Sequence, residues 1–310
     1  MNLSQAAKMT EEQAREYIES ILWPDGTPVC PHCGHQGAWR MRGKSVRAGL
    51  WKCSDKKCRK PFTVTMGTVM ESSHISLRDW VIAFHSMCAS KKGVSAKQLQ
   101  RNLGLGSYES AWFLEHRIRH SMEENPLSGL LKGTVEVDET YVGGKPRKGT
   151  GKHKRGRGTE KAPVVVLVER DGKARTKHVE RVNSKELKGA IRAHVEKDAK
   201  IVTDELGSYK GIGKEFNGGH SVCNHSNDEY VNKDGEHVNT AESFFALLKR
   251  GHYGIFHSLS KQHLFRYCNE FAFRWNHRKV TDGERAVEAI KGAEGKRLMC
   301  RETQASILGI

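Results

Sequence analysis

The pattern of apolar and polar residues changes character along the chain. Near the N-terminus, a capping box at Thr10 and Gln13 opens a predicted helix, which ends at the turn-forming residues 23–26. Between 76 and 119, apolar residues recur at intervals of three and four, which is the spacing of one helix face. This region therefore predicts three helices, and Gly104-Leu-Gly106 forms a turn between the last two.

The second half of the chain alternates between predicted strands and helices, as an α/β domain does. The elements expected here are a strand over 135–142, a hairpin over 162–181, a helix over 184–197 and a strand over 199–206. Asp171-Gly172 is suited to the two-residue turn of the hairpin. The segment 217–235 is rich in Gly, Asn, Asp and Ser and is predicted as a loop, and a second apolar helix opens near Glu242.

Three acidic residues stand at the boundaries of these elements: Asp138, Asp204 and Glu242. The two aspartates each end a short apolar run of a predicted buried strand, where a side chain can point into a cleft. Lys249 follows Glu242 by seven residues, so it lies on nearly the same helix face, roughly 10 Å along the axis. Carboxylates from two strands and one helix are suited to holding paired divalent cations on a phosphodiester.

Other interpretations of these acids exist. A single aspartate at a strand end is more often a turn former or a helix cap than a metal ligand, so the trio carries more weight than any member. Glu139 follows Asp138 directly, and in a strand only one of two successive side chains faces a given side. Periodicity alone does not choose between them.

Four of the eight cysteines are clustered in a C-x2-C-x19-C-x4-C pattern, which predicts a zinc ribbon: Cys30, Cys33, Cys53 and Cys58. Four thiolates fill a tetrahedral Zn²⁺ completely, so this zinc would be structural. The last spacing is longer than the usual two residues, which leaves His32 or His35 as possible replacements for a cysteine. The other four cysteines are scattered and are expected to be ordinary small apolar side chains.

Charge points to a polyanionic partner. Lys and Arg outnumber Asp and Glu by 52 to 36, which gives a net charge of +16, although a membrane or a ribosome would attract the same charge. No run of 18 apolar residues and no signal-peptide core is present, so we expect a cytoplasmic protein without membrane association. The chain has no Walker loop, dinucleotide GxGxxG, GxSxG or HExxH motif, which leaves ATP-driven, redox and serine-hydrolase chemistry without support.

Residues 145–161 contain eight Lys or Arg and a single Glu. A solvated charge run is the simplest interpretation. Beside a phosphodiester site, however, we expect a flexible basic loop that binds the DNA backbone by releasing counterions. The residues expected to bind are Lys145, Arg147, Lys148, Lys152, Lys154, Arg155 and Arg157.

Several long segments of the chain resemble the DDE transposases of bacterial insertion sequences, of the type headed by a zinc ribbon. The resemblance covers nearly the whole chain and rests on WPDGTPVCPHCG, KPFTVTMGTVMESSHISL, VDETYVGGK, VTDELGSY and HVNTAESFFALLKRGHYGIFHSLSKQHLFRYCNEFAFRWNHR. It implies a ribonuclease-H-like catalytic domain in which Asp138, and not Glu139, joins Asp204 and Glu242 as metal ligands. Lys249 would be the companion lysine, and Asn239, one helical turn before Glu242, could help or share the third role.

The expected architecture is therefore α/β, with a ribonuclease-H-like domain behind a zinc ribbon and a helix-turn-helix-like module. The expected limits are 1–26 for an N-terminal helix, 27–70 for the ribbon, 75–125 for the helical module, 130–290 for the catalytic domain and 291–310 for a tail. The helical module would contact DNA through Arg101, Arg117 and Arg119.

The resemblance implies a transposase that binds the ends of an insertion sequence and catalyses DNA cleavage and strand transfer. It would use two Mg²⁺ (or Mn²⁺) ions per active site and one structural Zn²⁺, and no nucleotide cofactor. Its partner would be double-stranded DNA, bound by a homodimer or higher oligomer in the nucleoid. The alternatives are a non-catalytic zinc-ribbon regulator that binds DNA, and a plain metal-dependent nuclease.

Overall fold

The computed structural model describes residues 1–124, 129–144, 161–223, 231 and 235–300. The chain forms two compact units, which divide at 123/124 and again at 279/280. The first unit holds residues 1–123 and the segment that begins at Val280, and the second holds residues 124–279. In the described part, no helix combines the length and the apolar character needed to cross a membrane.

The first unit begins with two helices, α1 (Leu3–Ala7) and α2 (Glu11–Leu22), and the predicted capping box at Thr10 and Gln13 is present at the start of α2. Three short strands follow and form an antiparallel sheet in the order β1 (Ala38–Arg40), β2 (Trp51–Cys53), β3 (Pro61–Phe62). Trp23 packs edge-on against Trp51 and Phe62, at centroid distances of 5.7 and 6.3 Å. These aromatic contacts join the end of α2 to the sheet.

The three helices expected after residue 76 are α3 (Leu77–Ala89), α4 (Ala96–Leu103) and α5 (Tyr108–Ser121). Gly104 ends α4 in the left-handed conformation, with φ of 64°, which is the usual role of glycine at a helix C-terminus. Helix α9 (Asp282–Lys291) packs against α3, and Arg285 Nη1 donates to the carbonyl of Cys88 at 2.8 Å. The expected catalytic domain, 130–290, therefore extends beyond the second unit at its C-terminal end.

The second unit is built on a five-stranded mixed sheet with the strand order β6-β5-β4-β7-β8. The first three of these strands in the chain are antiparallel, and β7 and β8 run parallel to β4. The strands are β4 (Thr134–Val142), β5 (Ala162–Glu169), β6 (Ala174–His178), β7 (Lys200–Asp204) and β8 (His220–Cys223). This mixed sheet agrees with the expected ribonuclease-H-like arrangement. The hairpin turns at Asp171-Gly172 as predicted, but it is longer than the expected two-residue turn, because the Glu169 amide donates to the Lys173 carbonyl at 2.8 Å and leaves three residues between them.

Strand β8 lies inside the segment 217–235, which its sequence predicts as a loop. Only one of its four residues, Cys223, is buried, so the strand lacks the apolar run of its neighbours. It becomes a strand because it pairs with β7, from Ile201 opposite His220 to Asp204 opposite Cys223. This pairing is a tertiary contact that local sequence does not encode.

Helices cover both faces of the sheet. On one face, α6 (Ser184–His194) packs Leu187 and Ile191 against an apolar cluster that includes Val135 and Val137. On the other face, α7 (Asn239–Gly251) and α8 (Leu264–Asn276) pack against Val164, Val166 and Val168. The alternation of side chains along β4 and β5 thus decides which residues face α7.

Candidate functional site

Asp138 and Asp204 come from neighbouring strands. Val137 on β4 pairs in parallel with Thr203 on β7, so the next residue on each strand is one of the two aspartates. Hydrogen-bonded strands lie about 4.8 Å apart, and side chains at paired positions of a parallel ladder lie on the same face. Asp204 is the last residue of β7, as expected, whereas β4 continues past Asp138 to Val142, so Asp138 lies within its strand and not at its end. The two carboxylates therefore start from adjacent backbone positions on one face of the sheet.

The sheet also separates Asp138 from Glu139. Asp138 lies opposite Val166, which belongs to the apolar cluster that α7 covers. Glu139 lies on the other face, where the hydroxyl of the buried Tyr209 donates to its Oε2 at 2.8 Å. Asp138 is thus on the side of the sheet that the helix carrying Glu242 covers, and Glu139 is on the opposite side.

Helix α7 presents Glu242 and Lys249 on its exposed flank, while Phe244, Phe245 and Leu248 are buried against the sheet. The ammonium of Lys249 lies 5.9 Å from the centroid of the Phe245 ring. Both charged side chains thus project beside the buried stripe of the same helix, as the seven-residue spacing predicts.

Asn239 is the first residue of α7 and is exposed, in the same helical turn as Glu242. The residue before it, Val238, occupies the N-cap position and makes no side-chain capping bond. Another residue must therefore satisfy the first amide groups of α7.

That residue is Glu136, which precedes Asp138 by two positions and shares its face of β4. Its carboxylate is fully buried and accepts hydrogen bonds from the amides of Thr240 (2.8 Å) and Ala241 (3.1 Å) and from the Thr240 hydroxyl (2.8 Å). The first amides of a helix lack partners inside the helix, and a negative charge is favoured there. Glu136 therefore fastens the start of α7 to β4.

Arg170 extends this contact into a network. Its Nε donates to Glu136 at 3.0 Å and its Nη1 to Glu236 at 2.8 Å, and Lys200 also binds Glu236 at 2.6 Å. These hydrogen bonds, first that of Lys200 and then that of Arg170, hold the pKa of Glu236 below its usual value despite partial burial. The His237 Nδ1 lies 3.2 Å from Glu136 Oε1, so this histidine adjoins the network.

Glu136 was missed as a functional candidate in the sequence. The sequence feature that could have identified it is an acidic residue inside an otherwise apolar strand, two positions before Asp138 and therefore on the same face. Its partners at Thr240 and Ala241 lie more than a hundred residues away, so local pattern could not identify them.

Burial is the main reason that the pKa of Asp138 is raised to about 7. The negative charges of Glu139, Asp204 and Glu242 raise it further, and the amide of Glu139, which donates to Asp138 Oδ1 at 2.7 Å, partly opposes them. Mutual repulsion among carboxylates is relieved by a hard divalent cation with oxygen ligands. The acidic trio fits such an ion in chemistry and charge.

The cysteine cluster fits zinc in geometry as well. The Cys30 and Cys58 sulfurs are 3.8 Å apart, those of Cys33 and Cys53 are 3.7 Å apart, and all four lie within 4.8 Å of one another. A tetrahedron with Zn–S bonds of about 2.3 Å has edges of about 3.8 Å. Among the described residues, this is the group of three or more potential metal-binding side chains that the structure brings together.

The two histidines considered as replacements have other partners. The Nε2 of His32 is 3.3 Å from the carbonyl of Pro61, and the Nε2 of His35 is 2.9 Å from the Ser54 hydroxyl. The zinc ribbon thus offers four sulfur ligands, which suits a structural and not a catalytic ion.

The thiols of the ribbon cannot all ionise without a cation. Burial opposes the ionisation of Cys30, but the amides of His32 and Cys33 hold its pKa below the usual value. The amide of His35 favours the Cys33 thiolate, yet burial and the three other sulfurs raise its pKa to about 12. Four thiolates therefore require a positive charge at their centre, which zinc supplies.

The predicted DNA-binding arginines of the helical module differ in position. Arg101 is exposed on α4. Arg117 is buried, lies 5.2 Å from the ring centroids of Trp80 and Phe113, and donates to the carbonyl of Glu71. Arg119 is also buried and pairs with Glu115 at 2.9 Å. The burial of Arg117 and Arg119 argues against the expected DNA contact, because both guanidinium groups serve packing within α5 and its neighbours.

The expected DNA-binding residues of the basic loop lie outside the described residues: Lys145, Arg147, Lys148, Lys152, Lys154, Arg155 and Arg157. Their contact with DNA stays a prediction.

Comparison with known protein families agrees with this geometry. An ISXO2-like transposase domain matches residues 130–276, and a transposase zinc-ribbon domain matches residues 9–61. The chain belongs to the insertion-sequence transposases with an N-terminal zinc ribbon. Both the acidic trio and the cysteine cluster fall inside the matched regions of this transposase.

One relative is an uncharacterized protein in transposable element ISH50 of Halobacterium salinarum. It is 27% identical over 281 residues, which cover 86% of this transposase and 91% of the relative. Among solved structures, a chain of a simian T-cell lymphotropic virus intasome in complex with the PP2A regulatory subunit B56 gamma is 14% identical, with a TM-score of 0.30. The match covers 60% of this transposase and 66% of that chain, and a TM-score this low does not relate the two folds.

We predict that Cys58→Ser releases one zinc ion per chain and unfolds the ribbon. Few large apolar residues lie in this segment, so metal binding, on the order of 10 kcal/mol, supplies most of its folding free energy. Metal analysis by mass spectrometry and thermal unfolding would measure both effects. Cys300→Ser, outside the cluster, is the control and should retain zinc; full zinc retention by Cys58→Ser would contradict the assignment.

Glu136→Gln should lower the free energy of unfolding by about 2–4 kcal/mol, because it leaves buried donors of α7 and Arg170 without a charged acceptor. It should also weaken Mn²⁺ binding under conditions where the variant stays folded, because the start of α7 and Glu242 are no longer fixed. Urea unfolding and Mn²⁺ titration would test this. Thr240→Val removes only the hydroxyl donor and should have a smaller effect on both; a Mn²⁺ affinity unchanged in Glu136→Gln would contradict the positioning role.

The raised pKa of Asp138 predicts a pH-dependent effect of Asp138→Asn on stability. The folded-state pKa of about 7 exceeds that of an unfolded aspartate, about 3.9, so ionisation of Asp138 costs folding free energy. The cost is small below pH 4, grows between pH 4 and 7, and is constant above. Because asparagine removes it, the substitution should be up to about 2 kcal/mol more stabilising at pH 8 than at pH 5.

Urea unfolding of the zinc-loaded protein at both pH values, without Mg²⁺ or Mn²⁺, would measure this difference. Asp171→Asn, at an exposed turn, is the control and should change stability equally at both. The same effect of Asp138→Asn at pH 5 and pH 8 would mean that Asp138 is an ordinary carboxylate.

Proposed function

We propose that this transposase binds the ends of its element and catalyses metal-dependent DNA cleavage and strand transfer. The observation that carries the proposal is the shared face of the sheet. Asp138 lies within β4 and Asp204 ends the neighbouring parallel strand β7, and α7, which carries Glu242, covers the same face. Three carboxylates on rigid elements can hold their positions while DNA binds and leaves.

In this proposal Asp138, Asp204 and Glu242 hold two Mg²⁺ (or Mn²⁺) ions, and Asn239 is a candidate to assist the third ligand. When bound, the ions would activate the attacking oxygen and stabilise the leaving one. Asp138 would give up its proton on binding metal, since its raised pKa keeps part of it neutral near pH 7. Lys249, on the same flank of α7 as Glu242, would bind and orient a phosphate of the element end.

The proposed chemistry has two steps. In the first, water attacks a phosphorus atom at the element end, and the bond to the 3′ oxygen breaks to leave a 3′ hydroxyl. In the second, that hydroxyl attacks a phosphorus atom of the target, so one phosphodiester forms while another breaks. The number of phosphodiester bonds is unchanged in this step, and ATP is therefore not required.

Double-stranded DNA is the partner that a transposase fold and a net charge of +16 support. We propose further that two or more copies assemble on DNA, because joining two element ends calls for two active sites. The basic segment 145–161 would add backbone contacts beside the acids. Action at the nucleoid follows from the proposed substrate.

The acidic trio is tested by Asp138→Asn, Asp204→Asn and Glu242→Gln, which each remove a ligand charge with little change in shape. Each variant should lose Mg²⁺-dependent cleavage of element-end DNA and keep DNA binding. Nicking and strand-joining assays on labelled duplexes, with binding measured in parallel, would show this. Asp171→Asn, which removes a carboxylate at the exposed hairpin turn of the same unit, should retain full activity.

Cleavage at the wild-type level by Glu242→Gln would reject Glu242 as third ligand, and loss of cleavage in Asn239→Ala would then assign the role to Asn239. Cleavage without any joined product would identify a plain nuclease. DNA binding without cleavage by the wild-type protein, with Mg²⁺ or Mn²⁺ present, would identify a non-catalytic DNA-binding regulator.

A further inference from the structure

The zinc ribbon carries half of the net positive charge of the chain. Residues 39–60 contain nine Lys or Arg and a single acidic residue, Asp55, which gives this stretch a charge of +8 out of +16. Among the described residues, Arg40 is the one member that pairs with a carboxylate, that of Glu12 at 3.3 Å. The eight others form no ion pair there: Arg42, Lys44, Arg47, Lys52, Lys56, Lys57, Arg59 and Lys60.

The turns that contain Cys33 and Cys58 end in the same left-handed backbone conformation, but the residue that follows the cysteine differs. Gly34 follows Cys33, has φ of 74° and donates its amide to the carbonyl of Cys30 at 2.8 Å. Arg59 follows Cys58, has φ of 50° and donates its amide to the carbonyl of Asp55 at 3.0 Å. Glycine adopts this left-handed conformation without cost, whereas a side chain with a Cβ is strained in it. The second turn thus holds a strained arginine where the first has glycine.

The side chain of Arg59 has a defined place. Its guanidinium lies 5.0 Å from the ring centroid of Trp39, and Trp39 remains 44% exposed. Lys52 lies directly opposite Trp39 in the pairing of β1 with β2, so both side chains are on one face of the ribbon sheet. Together, Trp39, Lys52 and Arg59 form what we call the Trp39 face. An indole so exposed contributes little to the core, but it orients the guanidinium and leaves its N–H groups open to an acceptor.

We propose that the Trp39 face binds the sugar-phosphate backbone of duplex DNA, with Arg59 donating to a phosphate. The inference rests on DNA being the partner in the proposed function. The neighbouring Lys and Arg side chains favour phosphate as the acceptor, because they lack carboxylate partners and a polyanion can bind all of them at once. Residues 39–60 contain no Asn or Gln, the side chains that recognise adenine through paired hydrogen bonds. Backbone strain that is retained at a surface position is consistent with such a function.

The decisive variant is Arg59→Gly, because it separates folding from binding. Glycine relieves the left-handed strain, so zinc content should be unchanged and the melting temperature unchanged or higher. Affinity for DNA should nevertheless fall on the order of tenfold, as for the loss of one charge-assisted hydrogen bond. The slope of log affinity against log salt should become less steep by about 0.9.

Fluorescence anisotropy with two duplexes of unrelated sequence, between 50 and 200 mM KCl and without Mg²⁺, would measure both quantities. Trp39→Ala keeps every charge and should weaken binding to both duplexes through loss of the stacked arrangement. Arg59→Lys keeps the charge but loses the planar group, so its affinity should fall between those of the wild type and Arg59→Gly. Lys8→Ala, which removes one exposed charge at the C-terminal end of α1, is the control and should leave affinity and slope nearly unchanged.

Affinity and salt slope that stay at wild-type values in folded, zinc-loaded Arg59→Gly would overturn the proposal. A loss confined to one of the two duplexes would also overturn it, because Arg59 would then recognise bases and not the backbone. Since binding is measured without Mg²⁺, failure of the protein to cleave or join DNA would reject the proposed function while leaving this result intact.

Discussion

The carboxylate of Glu136 is fully buried, and a charge in such a place is tolerated only where donors surround it. Two amides and a hydroxyl from the first turn of α7 meet it, together with Arg170. The geometry of the candidate active site depends on this contact. It joins the strand that carries Asp138 to the helix that carries Glu242, across more than a hundred residues of chain. The second-unit core sets the direction of α7, whereas Glu136 sets the position of its first turn, where Asn239 and Glu242 lie.

The cysteine cluster and the acidic trio of this transposase have different physical bases. In the ribbon, sulfur positions already match the edges of a tetrahedron around zinc, so the ion is part of the fold. In the acidic trio, burial together with the repulsion of neighbouring carboxylates raises the pKa of Asp138. A bound divalent cation would relieve that repulsion. We therefore expect the ribbon to need zinc to fold, whereas hydrogen bonds from the first turn of α7 to Glu136 join the elements of the acidic trio without any metal.

The net charge of the chain does not show which of its arginines are exposed. Arg117 and Arg119 are both buried. The Arg117 guanidinium packs against the Trp80 ring, and Arg119 forms an ion pair with Glu115. Arg59 is exposed and unpaired by any carboxylate in the described part of the chain, and its backbone is strained. In a protein that binds a polyanion, the arginines available for binding are those whose N–H groups do not already donate to acceptors of the protein.

The sequence by itself determined the elements and the chemistry that depend on local pattern. The cysteine spacing predicted the zinc ribbon, the apolar runs predicted the strands that carry Asp138 and Asp204, and Asp171-Gly172 predicted the position of the hairpin turn. The spacing of Glu242 and Lys249 predicted their shared flank of α7. Tertiary structure decided what depends on pairing between distant segments. It placed Asp138 and Glu139 on opposite faces, made a strand of residues 220–223, brought α9 to the first unit and put Glu136 beneath α7. Local sequence could not supply these, because strand register and burial are set by partners far away in the chain, and each such partner changes which face a side chain occupies.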